Sequence, residues 1–176
     1  MMKKISDKSF YTIPFVWNKT LWATTFAVFA LWIGLSGWFL YHIFVDEPAT
    51  IALFELIVLN LIFLPMVLIC EGLAPQRLEI GAEQIVILRR YNSIVLSREH
   101  IKSIERLPQS AMRGAIRTGG VGGFFGYFGN YYTKSLGSFK LFATNFRNLY
   151  HIKTWDGKSI VVSCDEPEIM EQFIEQ

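Results

Sequence analysis

Residues 20–45 read TLWATTFAVFALWIGLSGWFLYHIFV, a run without a single Asp, Glu, Lys or Arg. At about 1.5 Å per residue, an α-helix of this length covers the roughly 30 Å hydrocarbon core of a bilayer. A second apolar run, residues 48–70, carries one charge, Glu55. Residues 46–50 (DEPAT) join the two runs, so the expected arrangement is a membrane hairpin with spans at 20–45 and 51–70. A cleaved signal peptide is the competing reading of the first run. Its apolar core would measure only about 7–15 residues and end at small residues, whereas this run ends Phe44-Val45-Asp46-Glu47-Pro48.

The flanking charges orient the hairpin. Lys3, Lys4, Lys8 and Lys19 precede it, Arg77, Arg89 and Arg90 follow it, and the connecting loop is acidic. Basic residues stay on the cytoplasmic side, so the expectation is a membrane protein with residues 1–19 and the C-terminal part in the cytoplasm and 46–50 outside. Tyr11, Phe15, Trp17, Trp38 and Tyr41 suit interfacial anchors.

Composition agrees with a membrane part. The 176-residue chain is 52% hydrophobic and 18% charged, with a mean hydropathy of +0.31; soluble domains carry about a quarter charged residues. A net charge of +2 is too balanced for a nucleic-acid binder without a concentrated patch. Cys70 and Cys164 stand far apart without CxxC or Cys/His spacing, which argues against a disulfide framework and a zinc site.

From residue 71 the pattern changes to short alternating segments broken by turn residues. Strands are expected at 78–80, 84–88, 93–97, 101–107, 138–144, 149–155 and 158–163. Tyr91-Asn92 marks a turn, and Asp156-Gly157 a two-residue hairpin. The Gly- and aromatic-rich stretch 113–132 reads as a long loop. Asp165 is placed to cap a closing helix, with Pro167 in its first turn and Glu168 three residues on. Ile169, Met170, Phe173 and Ile174 fall on its apolar face.

Four constellations bear on function. Ala23, Ala27, Ala30, Gly34 and Gly37 recur every three or four residues, forming one small-residue face for close packing of the second span or of a second copy. His42 and Glu55 lie at matched distances from the hairpin tip. An intramembrane carboxylate calls for a partner, so a structural ion pair or a Glu55 snorkelling to the outer headgroup region is expected. The rival reading is a proton- or cation-handling site in a small transport or channel subunit. The stretch 119–129 (GGVGGFFGYFG) lacks the Gly-Lys-Ser/Thr ending or the following helix that phosphate binding requires. It reads instead as a loop whose glycines permit positive φ while its aromatics bury elsewhere, or as a contact loop for lipid headgroups or a partner, with Arg113, Arg117, Phe124, Phe125, Tyr127 and Phe128 as its interaction residues. Catalytic groupings are poor. His100 and His151 belong to no motif with a nucleophile, and Cys164 near a helix start is the one candidate thiol. Arg89, Arg90, Arg98 and Lys102 form a basic cluster diluted by Glu99 and Glu105, expected as a solvated strand face, with contact to the anionic inner leaflet as the alternative. No enzyme activity, cofactor or metal is expected.

The segments 119–129, Leu136-Gly137, 141–145 (LFATN), 152–154 (IKT), 156–158 (DGK) and 162–168 (VSCDEPE) resemble, in their order, bacterial pleckstrin-homology domains of the membrane-anchored kind, over residues 76–176. The resemblance implies an all-β barrel-like sandwich of about seven antiparallel strands capped by a C-terminal α-helix. It also implies a binding or scaffolding role, with membrane lipid, another membrane protein or a second copy as partner. It does not bring phosphoinositide recognition, because the first hairpin loop, Gly81-Ala82-Glu83, has no Lys or Arg.

Overall fold

A computed structural model describes residues 10–45 and 49–175. Lys3, Lys4 and Lys8, and Asp46, Glu47 and Pro48 of the expected outer loop, lie outside the described residues.

The two apolar runs form α1 (Lys19–Val45) and α2 (Thr50–Leu73). Both are long and apolar enough to cross a membrane. Large apolar side chains stand exposed along them, Phe26 at 75% and Phe44 at 86%, an arrangement that lipid rather than water accommodates. Asn18 caps α1 by accepting a hydrogen bond from the Leu21 amide at 2.7 Å. In α2, Asn60 turns its amide back onto the Leu56 carbonyl at 2.8 Å, so this polar side chain is satisfied within its own helix.

The rest of the chain is a sandwich of two sheets. One is antiparallel, in the order β1 (Tyr11–Pro14), β2 (Pro75–Ile80), β3 (Gln84–Arg89), β4 (Ser93–Ser97). The second contains β5 (Ile101–Leu107), β6 (Ile116–Gly122), β7 (Tyr127–Thr133), β8 (Gly137–Ala143), β9 (Leu149–Thr154) and β10 (Ser159–Ser163), in the spatial order β5-β9-β10-β8-β7-β6. Leu78, Ile80, Ile85, Ile87, Phe142, Tyr150, Ile152 and Val162 fill the space between the sheets. Met170 and Phe173 of α3 (Pro167–Glu175) close it at one end. A second cluster on the outer face of the larger sheet, including Tyr131, Leu141 and Val161, is covered by Leu107, Met112 and Ala115.

The sandwich has more strands than the seven expected, and one pairing is parallel. β10 inserts between β9 and β8 with Ile160 opposite Lys140 and Val162 opposite Phe142. Val161 and Val162 of β10, like Leu141 and Phe142 of β8, are buried on opposite sheet faces, the condition under which parallel strands occur.

β1 comes from the segment before the helices. Tyr11, Ile13 and Phe15 alternate onto one face. Ile13 and Phe15 are buried in the core and Tyr11 packs against it, so Tyr11 and Phe15 serve packing rather than interfacial anchoring.

The Gly-rich stretch is a hairpin, β6–β7, where a loop was expected. Gly120 (φ +117°) and Gly129 (φ +121°) are cross-strand partners. A Cβ on Gly120 would lie 2.3 Å from the Phe128 carbonyl oxygen. Here glycine permits the ladder instead of breaking it. The Asp156-Gly157 connection spans four residues, 155–158, with the Thr154 amide bonded to the Lys158 carbonyl at 3.0 Å.

Candidate functional site

The tip of the β6–β7 hairpin, residues 123–126, is seated on α1. The Thr24 hydroxyl contacts the Gly123 carbonyl oxygen, and the Phe125 amide donates to the Thr25 hydroxyl at 3.3 Å. Phe125 adopts φ +59° to make this approach. Aromatic rings continue the contact inward. Phe124 lies 5.9 Å and Phe125 6.2 Å from Phe29, Phe29 lies 5.8 Å from Phe63 of α2, and Trp32 stacks on Phe63 at 4.9 Å. Trp17 flanks the tip, 5.9 Å from Phe125. Irregular backbone beside apolar helices requires internal hydrogen-bond partners, and adjacent threonines on α1 supply them.

Two further junctions join the same bodies. At the first, a polar clamp holds the segment entering α1. Asp165 Oδ2 accepts from the Val16 amide at 2.9 Å, Asp165 Oδ1 accepts from Asn145 Nδ2 at 2.7 Å, and the Thr144 hydroxyl donates to the Val16 carbonyl at 2.9 Å. The expected cap of α3 is thus committed elsewhere: one Asp165 oxygen holds the Val16 amide of the N-terminal segment and the other the Asn145 side chain. At the second, α2 runs into β2 without a linker, since Ala74 is extended and Pro75 opens the strand. Tyr91 braces this corner, donating from its amide to the Gly72 carbonyl at 3.2 Å and from its hydroxyl to the Leu68 carbonyl at 3.0 Å. A Cβ on Gly72 would lie 2.0 Å from the Tyr91 ring, so any larger residue there would displace that ring.

The six residues expected to form a contact loop therefore separate. Phe124 and Phe128 are buried and Phe125 and Tyr127 half-buried, while Arg113 and Arg117 are exposed. Phe128 belongs to the core between the sheets, and Tyr127 packs on Phe146 at 4.6 Å. The aromatics face the helices and the core, and the arginines face solvent.

On the helices, Ala23, Ala27, Ala30, Gly34 and Gly37 are all exposed. α2 meets α1 through Phe29 and Trp32, and nothing stands within 4 Å of where a Cβ on Gly34 or Gly37 would be. Glu55 is exposed on α2, and His42 is half-buried in α1 with the Trp38 and Tyr41 rings at 4.6 and 5.5 Å. Among the described residues no ion pair joins them.

The remaining titratable candidates are placed for structure. Cys164 is buried, its thiol pushed up to about 12 by burial and bonded to the Glu166 carbonyl at 3.2 Å, the opposite of an activated thiolate. His151 is buried with Nε2 2.6 Å from the Ser159 hydroxyl and no partner on Nδ1. Burial, then Lys153, holds its pKa below the usual value. Among the described residues no cluster of His, Cys, Asp and Glu can hold a metal. The basic cluster is largely engaged. Arg90 pairs with Glu71 at 2.9 Å, Arg98 donates to the Phe173 carbonyl at 2.7 Å, and Lys102 lies over the Trp155 ring at 5.4 Å.

Residues 76–176, which comprise the sandwich without β1, match the family model of the bacterial PH domain. The chain belongs to that family. No curated protein and no solved structure matches it. The PH sandwich, joined to helices able to cross a membrane, is an interaction module. Several matched residues have local roles: Thr144 and Asn145 of the LFATN segment, with Asp165, form the clamp on Val16. The clamp's long-range pairing was invisible in sequence, where Asp165 is 149 residues from Val16. The nearest available signal was an Asp two residues before a helix-opening Pro.

Proposed function

We propose that this chain is a two-pass protein of the bacterial cytoplasmic membrane. Both termini are cytoplasmic, and it presents a non-enzymatic PH module held in one orientation at the inner leaflet for binding a membrane or membrane-associated partner. The observation that carries the reading is the three-way junction of module and helices: the hairpin tip on Thr24 and Thr25, the clamp on Val16, and the direct passage of α2 into β2. A module meant only to be concentrated near a membrane needs no more than a flexible tether, whereas this one is fastened at separate points. The uncovered small-residue face of α1 is the surface for self-association. Membrane lipid contacts the exposed apolar sides of both helices.

The test is a spin-label distance measurement in lipid nanodiscs between α1 (Ala23→Cys) and an exposed module position (Ser110→Cys), in a Cys70→Ser, Cys164→Ser background. One narrow distribution is expected, broadening when Phe124 and Phe125 are both replaced by Ser. A broad distribution in the parent refutes a fixed orientation. Digestion of the module by protease added outside intact cells refutes its cytoplasmic placement.

A further inference from the structure

Charge is distributed unevenly over the PH module. No Asp or Glu occurs between residues 106 and 155, the segment that supplies β6, β7, β8 and β9. Within it Arg113, Arg117, Lys134, Lys140 and Arg147 form no ion pair among the described residues, whereas Arg106, Lys153 and nearby Lys158 pair with Glu171, Glu105 and Asp156. Where the smaller sheet stops covering the larger one, an open trough of about 380 Å³ crosses β6, β7, β8 and β10. Thr118, Asn130, Ser138, Lys140 and Lys158 line it. The register explains the assembly: Asn130 is opposite Lys140, and Tyr132 opposite Ser138. Every polar group named can donate a hydrogen bond; Lys158 is already paired with Asp156, which leaves Lys140 as the unpaired cation of the lining among the described residues. Beside it stand Ile116 and Tyr132, cross-strand partners and both exposed, an apolar ledge next to a cationic floor.

We infer that this trough binds an extended acidic segment of a cytoplasmic partner protein, a carboxylate on the unpaired Lys140 and an apolar side chain on the Ile116–Tyr132 ledge. Charge complementarity selects an acidic ligand, and the ledge selects one that also carries apolar groups. The open form of the trough suits a chain segment passing across it rather than an enclosed small molecule. A planar bilayer does not follow a concave surface. Asn130 stands three residues along β7 from Tyr127, about 10 Å at about 3.3 Å per residue, and the trough continues beyond it to Ser138. The anionic leaflet's field decays over about 8 Å at physiological salt. The inference rests on the reading of the module as a binding platform and deepens it. The spin-label measurement reports on the platform without any peptide, so the two fail separately.

The experiment uses the full chain in neutral-lipid nanodiscs and a fluorescein-labelled ten-residue peptide of alternating Glu and Val, read by anisotropy and by carbodiimide cross-linking. Saturable, salt-sensitive binding is expected, with cross-links at Lys140 in preference to Lys102 and Lys153. Lys140→Gln should weaken binding about tenfold, the loss of one charge-assisted hydrogen bond, and Ile116→Ser should weaken it by a smaller factor. Both are exposed positions, and unchanged circular dichroism checks the fold. Absence of saturable binding, cross-links spread evenly over exposed lysines, or binding indifferent to Lys140→Gln would overturn the inference. So would competition by inorganic phosphate, or Lys140-dependent capture of phosphatidylglycerol vesicles in place of the peptide.

Discussion

Thr25→Val isolates the seating of the hairpin tip on α1. The two side chains have nearly the same shape, and valine keeps the β-branch at a helical position. What is lost is the hydroxyl that accepts the Phe125 amide at 3.3 Å. Thr25 is buried and its surroundings are apolar, so water does not replace the acceptor. An unsatisfied buried N–H costs about 1–3 kcal/mol, and about 1.4 kcal/mol is a factor of ten. The docked state of the tip should therefore lose about 5- to 150-fold in its equilibrium against the undocked state. Amide hydrogen exchange by mass spectrometry on the full chain in nanodiscs reads this directly. Peptides covering residues 120–129 should exchange faster by that factor, while peptides from β3 and β10 keep their rates. Thr25→Ser, which retains the hydroxyl, should restore most of the protection. Equal acceleration by Val and Ser, or none by either, would refute the claim that this hydrogen bond holds the tip.

Asp165→Ala removes both acceptors of the clamp on Val16 and Asn145. It should lower stability by about 1–3 kcal/mol and expose residues 10–18 to limited proteolysis while α3 stays helical; an unchanged cleavage pattern would show the clamp to be dispensable. The lowered pKa of His151 means that the unfolded chain binds its proton first, so its stabilising contribution is complete above about 6.5 and is lost as pH falls through the folded value. The drop in melting temperature from pH 7.5 to 5.5 should be smaller in His151→Gln than in the parent, and equal drops would dissociate the effect from this residue. Cys164, with its thiol near 12 and its side chain buried, should resist maleimide at pH 8.5 until denaturant is added. Labelling in the folded state would contradict that placement.

What the chain order alone could reveal, and what it could not, follows from the range of the interactions. The helices are written in consecutive residues: a charge-free run from 20 to 45 is a local property, and it led to α1. β10, expected at 158–163, likewise follows from a short continuous apolar run, Ile160-Val161-Val162, after a turn. β1 was missed because Tyr11–Pro14 becomes a strand only by pairing with β2, Ile13 opposite Leu78, across both helices. β6 and β7 were missed for a different reason. Glycine reads as a breaker in any single strand, yet Gly120 and Gly129 are each required by the close approach of the other, a pairwise fact. The contact residues failed to assemble as one loop on the same ground. Aromatics at 124 and 125 signal burial, but nothing nearby in the sequence states that the burying surface is Phe29, some hundred residues earlier.

The three junctions also constrain how binding energy is used. A module on a flexible linker gains local concentration but still loses rotational freedom each time it engages a partner. Here much of that freedom is already surrendered in folding, at the Thr24–Thr25 seat, the Asp165 clamp and the Gly72–Tyr91 corner. A partner meeting the trough inferred above would then encounter a surface whose angle to the helices is already set. Conversely, anything that tilts α1 against α2 acts on the tip through Phe63, Phe29 and Phe124, rings in consecutive contact. The same packing that orients the module therefore couples it mechanically to the hairpin. Phe29→Leu should thus loosen the tip's exchange protection while leaving the trough residues themselves untouched.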